Sequence, residues 1–158
     1  MKVVIDRAEA KDLADILSLL AEVDLPAEGV AEHFGQFFVA RDIGRIVGCV
    51  GQERYGNVSL LRSLAVSPVS RRVGLGKALV GRLLAEARAL GLNEIVLLTT
   101  TAAGFFARHF GFTETERNQF DEGFANSPEW GLPRCSSAVC MWLPLTVPRA
   151  GGFNRLRL

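Results

Sequence analysis

Apolar and polar positions along this chain follow two different periods, and the places where the period changes divide it into elements. The opening Lys2-Val3-Val4-Ile5-Asp6 is short and β-branched, which predicts a strand. From Ala10 to Val23, Leu13, Ile16, Leu17, Leu20 and Val23 recur at helical spacing with charges between them. Pro26 suits a first helical position, so a second, shorter helix to about Phe34 is expected. Phe37–Ala40 and Ile46–Val50 read as strands joined by a hairpin at Asp42-Ile43-Gly44, the second strand running on toward Glu53. A third strand, Val58 to Val66, follows the Tyr55-Gly56-Asn57 turn, which completes an antiparallel meander.

The middle of the chain changes character. Pro68 stops the strand, and a glycine-bearing loop leads to Lys77–Leu90, where Leu79, Val80, Leu83, Leu84, Ala87 and Leu90 make one apolar stripe closed by Gly91. Glu94–Thr100 predicts an apolar strand, Ala102–Phe110 a short helix ended by Gly111, and Phe112–Thr115 another strand. Residues 118–133 are rich in turn formers and carry no clear period. Ser137–Leu143 predicts a last strand, and the arginine- and glycine-bearing tail over 148–158 is expected to be loose. One α/β domain over residues 1–147 accounts for the whole pattern.

Composition narrows the function. Hydrophobic residues make up 49% of the chain, ample for a core. With 18 Lys and Arg against 17 Asp and Glu, the net charge of +1 lacks the excess that sequence-independent nucleic-acid binding uses to displace counterions. No apolar run approaches the ~18 residues of a membrane span, and Asp6 interrupts the start before a signal-peptide core could form. Three cysteines, Cys49, Cys135 and Cys140, are an odd set in a chain large enough to fold without staples, which points to a reduced, cytoplasmic protein.

The most specific stretch is Arg71-Arg72-Val73-Gly74-Leu75-Gly76-Lys77, an Arg-x-x-Gly-x-Gly pattern between a strand and a strong amphipathic helix. Glycines let the backbone approach a phosphate, helix N-terminal amides point at the anion, and the Arg and Lys residues add positive charge. The glycine spacing is neither that of a Walker loop nor that of the dinucleotide fingerprint. With this loop in place, the chain over roughly residues 1–143 resembles the GNAT superfamily of acetyl-coenzyme A-dependent N-acetyltransferases, most specifically over 60–112. The resemblance implies a mixed, mostly antiparallel twisted sheet with helices on both faces, and strands four and five splayed where acetyl-coenzyme A enters. It implies pyrophosphate binding by Arg71, Arg72, Val73, Gly74, Leu75, Gly76 and Lys77. Pantetheine would pair with the backbone of Leu64, Ala65 and Val66, where an N–H would also hold the oxyanion. Tyr55–Val66, Leu97–Phe106 and Cys135–Met141 are similar to a subgroup found with arsenic-resistance genes and to the acetyltransferase domain of N-acetylglutamate synthases. That implies a small amino-acid-like acceptor, with an arsenic-containing amino acid among the candidates.

Individual residues sharpen the expectation. Many family members carry Tyr as proton donor in the second aromatic slot of the short helix, where this chain has Phe106, which cannot donate. A coenzyme A thiolate, with a thiol pKa of about 8.5, could leave without a dedicated acid; a non-catalytic acyl-coenzyme A sensor is the rival that Phe106 permits. Glu53, at a strand end, is the candidate base for the acceptor ammonium, or else a solvated carboxylate. Alternation through Leu60, Arg62, Leu64 and Val66 puts a guanidinium on an apolar face, where it needs a partner. A substrate carboxylate would serve, and so would an internal ion pair with Glu53 or Glu94. Thr99 and Thr100 end the fifth strand beside the opening that the resemblance implies, which makes them candidate substrate residues. No metal is expected: Cys140 reads as core, and Cys49 lies in another strand. The last strand is a candidate homodimer surface.

Overall fold

The computed structural model describes residues 3–145, so the tail over 148–158 lies outside the described residues. Among the described residues, seven strands form one sheet in the order β1-β2-β3-β4-β5-β7-β6. The meander runs through β1 (Val3–Arg7), β2 (Phe38–Asp42), β3 (Arg45–Tyr55) and β4 (Val58–Val66), all antiparallel. A crossover through helix α2 (Leu75–Ala89) brings β5 (Glu94–Thr99) parallel to β4. Beyond β5, β7 (Val139–Pro144) pairs antiparallel along its length, and the two-residue β6 (Thr113–Glu114) closes the edge.

Alternation along the strands feeds cores on opposite faces. Phe38, Leu61, Ile95 and Leu97 pack against Leu79, Leu83 and Ala87 of α2 and Phe106 of α3 (Ala103–Phe110). Phe37, Val39, Cys49 and Ala65 face Ile16, Leu19 and Leu20 of α1 (Leu13–Glu22). The same face continues as Leu60, Val96 and Cys140, which are covered by Phe124 and Trp130 rather than by a helix. A capping box of Glu9 and Asp12 leads into α1, and Asp12 accepts two bonds from Arg41 of β2, at 2.8 and 2.7 Å. These bonds hold the Asp12 carboxyl below its usual range and tie α1 to the sheet.

One expectation is corrected, and one open segment is resolved. The helix expected from Pro26 to Phe34 is a run of turns followed by a 3-10 turn at Phe34–Gln36. Gly29 there has a φ of +83°, and the carbonyls of Pro26 and Glu28 accept hydrogen bonds from Arg62 instead of serving a helix. The turn-rich 118–133 segment is ordered by Arg117, which donates to the carbonyls of Cys135 and Trp130 and stacks 4.7 Å from the Trp130 ring. Element ends shift modestly elsewhere: β3 extends to Tyr55, α2 starts at Leu75, and Ser137 lies in a turn before β7.

Candidate active site

The site begins where β4 leaves β5. Their parallel pairing runs only from Val58–Glu94 to Leu61–Leu97, although β4 continues to Val66 and β5 to Thr99. The cause is local. Against β3, Arg62 pairs with Gly51 and Ala65 with Cys49, so β4 spends one residue more than its partner, and Ser63 has a φ of +61°. Such a bulge bends a strand and ends its pairing. Two side chains hold it: Arg62 Nε donates to Ser63 Oγ at 2.9 Å, and Cys49 Sγ donates to the Ser63 carbonyl at 3.3 Å. Burial pushes the Cys49 thiol up to about 12, so it keeps the proton it donates.

Two connected spaces open from this gap. A groove of about 560 Å³ runs over Leu64, Ala65 and Val66 to Gly74, Gly76 and Lys77, with Val23, Leu25, Phe105 and His109 opposite. Gly74 adopts a left-handed φ of +70° between a 3-10 turn at Pro68–Val73 and the first turn of α2, which aims the helix N-terminus at the groove. A Cβ at Gly76 would stand 3.7 Å from the Phe105 ring and narrow the passage. Leu75 points into the core. The side chains of Arg71, Arg72 and Val73 lie outside the described part of the structure.

The second space is a cleft of about 340 Å³ sharing Leu25, Leu64, Thr101 and Ala102 with the groove. Its walls include Arg62, Ser63, Thr99, Thr100, Phe106 and Glu129. Thr99 Oγ1 accepts from the Ala102 N–H at 2.9 Å and so ties the end of β5 to the residue that precedes α3. Phe106, almost fully buried against Phe105 and Phe112, presents ring and no proton.

Behind the cleft lies a buried polar cluster. Arg62 Nη1 meets Glu53 Oε2 at 2.7 Å with both side chains fully buried, and Arg62 Nε lies 3.4 Å from Glu129 Oε1. Tyr55 donates to Glu53 Oε1 at 2.6 Å, and half-buried His33 lies 3.9 Å from the same oxygen. Glu53 is therefore no solvated strand-end group. Its oxygens are taken, and it does not line the cleft, which corrects its expected place beside the acceptor. Arg62 does reach the cleft, but its guanidinium is spent on Glu53, Ser63 and the carbonyls of Pro26 and Glu28. The internal ion pair, rather than an open carboxylate clamp, is what the chain builds; an unpaired buried guanidinium would be far costlier.

Sequence reasoning missed Glu129. It is 5% exposed and held by the Ser127 hydroxyl, which accepts the Glu129 and Trp130 N–H groups at 3.2 and 3.1 Å. Burial, opposed by Arg62 and reinforced by Glu53, pushes its carboxyl up to about 7. The available signal was a carboxylate between Pro128 and Trp130 in a segment whose Phe124 and Trp130 are too apolar for a free loop. Among the described residues no group of His, Cys, Asp or Glu is arranged to hold a metal ion, and no helix is long and apolar enough to cross a membrane.

A strand gap, a glycine-opened helix N-terminus and a lined cleft together define an acyl-coenzyme A-type transferase architecture. The chain belongs to the acetyltransferase (GNAT) family, whose profile matches residues 4–112. It is 40% identical over 89 residues to an amino-acid acetyltransferase of Mycobacterium tuberculosis, covering 54% of this chain and 50% of that one. It is 36% identical over 96 residues to an uncharacterized N-acetyltransferase of Chlorobaculum tepidum, covering 60% and 61% respectively. The matched region thus spans between half and two thirds of these curated relatives. Among solved structures, a Mycobacterium tuberculosis protein in complex with CoA superposes with a TM-score of 0.75 at 29% identity, covering 90% of this chain and 99% of that one. The N-acetylglutamate synthase of Neisseria gonorrhoeae, complexed with coenzyme A and N-acetyl-glutamate, superposes with a TM-score of 0.73 at 20% identity, covering 93% and 36%.

Proposed function

We propose that this protein transfers an acetyl group from acetyl-coenzyme A to the primary amine of a small, amino-acid-like acceptor by direct attack. The observation that carries the reading is the gap between β4 and β5, continuous with the groove at the α2 N-terminus on one side and with the cleft on the other. In this reading the Arg71–Lys77 segment takes the pyrophosphate through backbone amides and positive charge. Leu64, Ala65 and Val66 offer backbone to the pantetheine arm and an N–H to the oxyanion. Phe106 packs beside the acyl group, and Thr99 and Thr100 face the acceptor. The leaving thiolate needs no acid from Phe106, since a thiol of pKa about 8.5 is a tolerable leaving group near neutrality.

The amino-acid acetyltransferase among the relatives supports the acceptor class. An arsenic-containing amino acid is the narrower version of the same acceptor and rests on the sequence resemblance alone. The test is thiol release from acetyl-coenzyme A across free amino acids, including glutamate and its phosphinate and arsinate analogues. Turnover with one of them is expected, together with coenzyme A affinity that falls in Arg71→Glu. Coenzyme A binding with silence from every amine would assign the protein to the acyl-coenzyme A sensors instead.

A further inference from the structure

The acceptor cleft contains more acid than its neighbouring base can balance. Among the described residues, Arg62 is the guanidinium shared by two buried carboxylates, Glu53 and Glu129, while His33 stands 3.9 Å from Glu53 alone. Glu53 has the better share, with a 2.7 Å contact to Arg62 and a hydrogen bond from Tyr55. Glu129 has the 3.4 Å contact, and of the two carboxylates paired to Arg62 it is the one that lines the cleft, which Asp24 also borders. Its backbone is fixed by the Ser127 hydroxyl and its flank by buried Trp130, so its carboxylate is presented from a rigid turn.

Resting on the acetyl-transfer reading, we propose that Glu129 is the base that takes the acceptor ammonium proton in the cleft. The Arg62–Glu53 pair acts as the positioning element that keeps Glu129 oriented. In the step, one ammonium proton passes to the Glu129 carboxylate, and the freed nitrogen lone pair forms the C–N bond to the thioester carbonyl carbon. As the C–S bond breaks, the electron pair leaves on coenzyme A sulfur, which takes up a second proton released from the nitrogen. Glu129 returns its own proton to solvent, so the sum is amide, thiol and one proton. A base poised near neutrality suits this task, because it is ionised at working pH and still holds a proton once given one. The charged and titratable groups around Glu129 are Arg62 and Glu53 from the sheet, Glu28 and Asp24 from the loop after α1 and Cys135 from the cleft wall, with Tyr55 and His33 beside Glu53. Burial is the largest influence on Glu129; Arg62 opposes it, and Glu53 and Glu28 add to it.

The test uses the full chain with acetyl-coenzyme A and the amino-acid panel. Wild type, Glu129→Gln and Glu129→Asp are compared for kcat, KM and pH profile, with carbon-13 NMR titration of labelled glutamate carboxyls in parallel. Expected are a roughly 100-fold or larger fall in kcat for Glu129→Gln, an unchanged acetyl-coenzyme A KM, and partial recovery in Glu129→Asp. The acid limb near pH 7 should vanish in Glu129→Gln together with one carboxyl resonance that titrates there. Turnover kept in Glu129→Gln with its limb intact, or a Glu129 resonance titrating in the ordinary carboxylate range, would overturn the assignment and leave acetyl transfer standing. Silence from wild type with every amine would instead remove the acetyl-transfer reading, and the proposal with it.

Discussion

The groove beside α2 and the cluster behind the acceptor cleft lie at two ends of the same gap, yet they are made by different means. One wall of the groove comes from a single stretch of chain, Leu64 to Lys77: a bulged strand, a turn, a left-handed glycine and a helix start, faced by Val23, Leu25, Phe105 and His109. The cluster is side chain and charge, gathered from Glu28, His33, Glu53, Tyr55, Arg62 and Glu129. Backbone can serve a donor with the same phosphates and amides in every reaction. Side chains assembled from distant segments can be exchanged one by one without disturbing the strand gap. Under the proposed function, the donor end is thus encoded largely in one local stretch, whereas the acceptor end depends on the completed fold.

That contrast can be broken most violently at Arg62. Arg62→Met leaves Glu53 buried without its partner, and the cost of ~3–5 kcal/mol expected for breaking such a pair should appear as a lower urea midpoint. Adding Glu53→Gln should restore much of it; no recovery would mean that Arg62 acts through packing alone. Next in size is a pH effect. The folded protein holds the Glu129 proton up to about pH 7, whereas the unfolded chain releases it in the ordinary carboxylate range. The native state therefore binds more protons between those limits, so stability falls as pH rises through that window, by up to ~3 kcal/mol. Glu129→Gln should flatten the fall, and equal urea midpoints for the wild type at pH 5 and 8 would refute it.

The donor end should respond in affinity and not in stability. Lys77→Glu should weaken coenzyme A binding about tenfold, or ~1.4 kcal/mol, more so at low salt, with an unchanged unfolding midpoint. A matching loss of stability would erase the distinction between the two ends. Smallest is Gly74→Ala, where a left-handed φ of +70° with open space around the missing Cβ predicts a conformational cost of ~1 kcal/mol and little else.

The same division decides what could be read before folding. β4, α2 and β5 announce themselves through periodicity and the Gly74-x-Gly76 turn, because their causes are local. The splay itself needed the resemblance, since one extra residue at Ser63 leaves no mark on the hydrophobic pattern. Pro26–Phe34 misled because proline at a helix start is a valid local rule, overridden here by a guanidinium that claims the Pro26 and Glu28 carbonyls. Arg62 declared its need for a partner, and the ion pair with Glu53 was one of the partners weighed. Glu129 left only the faint signal of a carboxylate beside Trp130, because its burial depends on Trp130 and Arg117 closing a segment without period over Leu60 and Val96.

The early end of the β4–β5 ladder has a consequence for the protein as a polymer. Beyond Leu61 the strand carries an open edge in the middle of a sheet, and an open edge is a template for unwanted pairing with other chains. A bound arm bearing amides would complete the ladder as a surrogate strand, in the manner of an added peptide. Occupancy at a hundredfold over the dissociation constant would then add ~2.7 kcal/mol to the folded state. Slowed amide exchange at Leu64, Ala65 and Val66 should accompany it, so the chain saturated with its donor should be both more stable and less prone to associate than the chain alone.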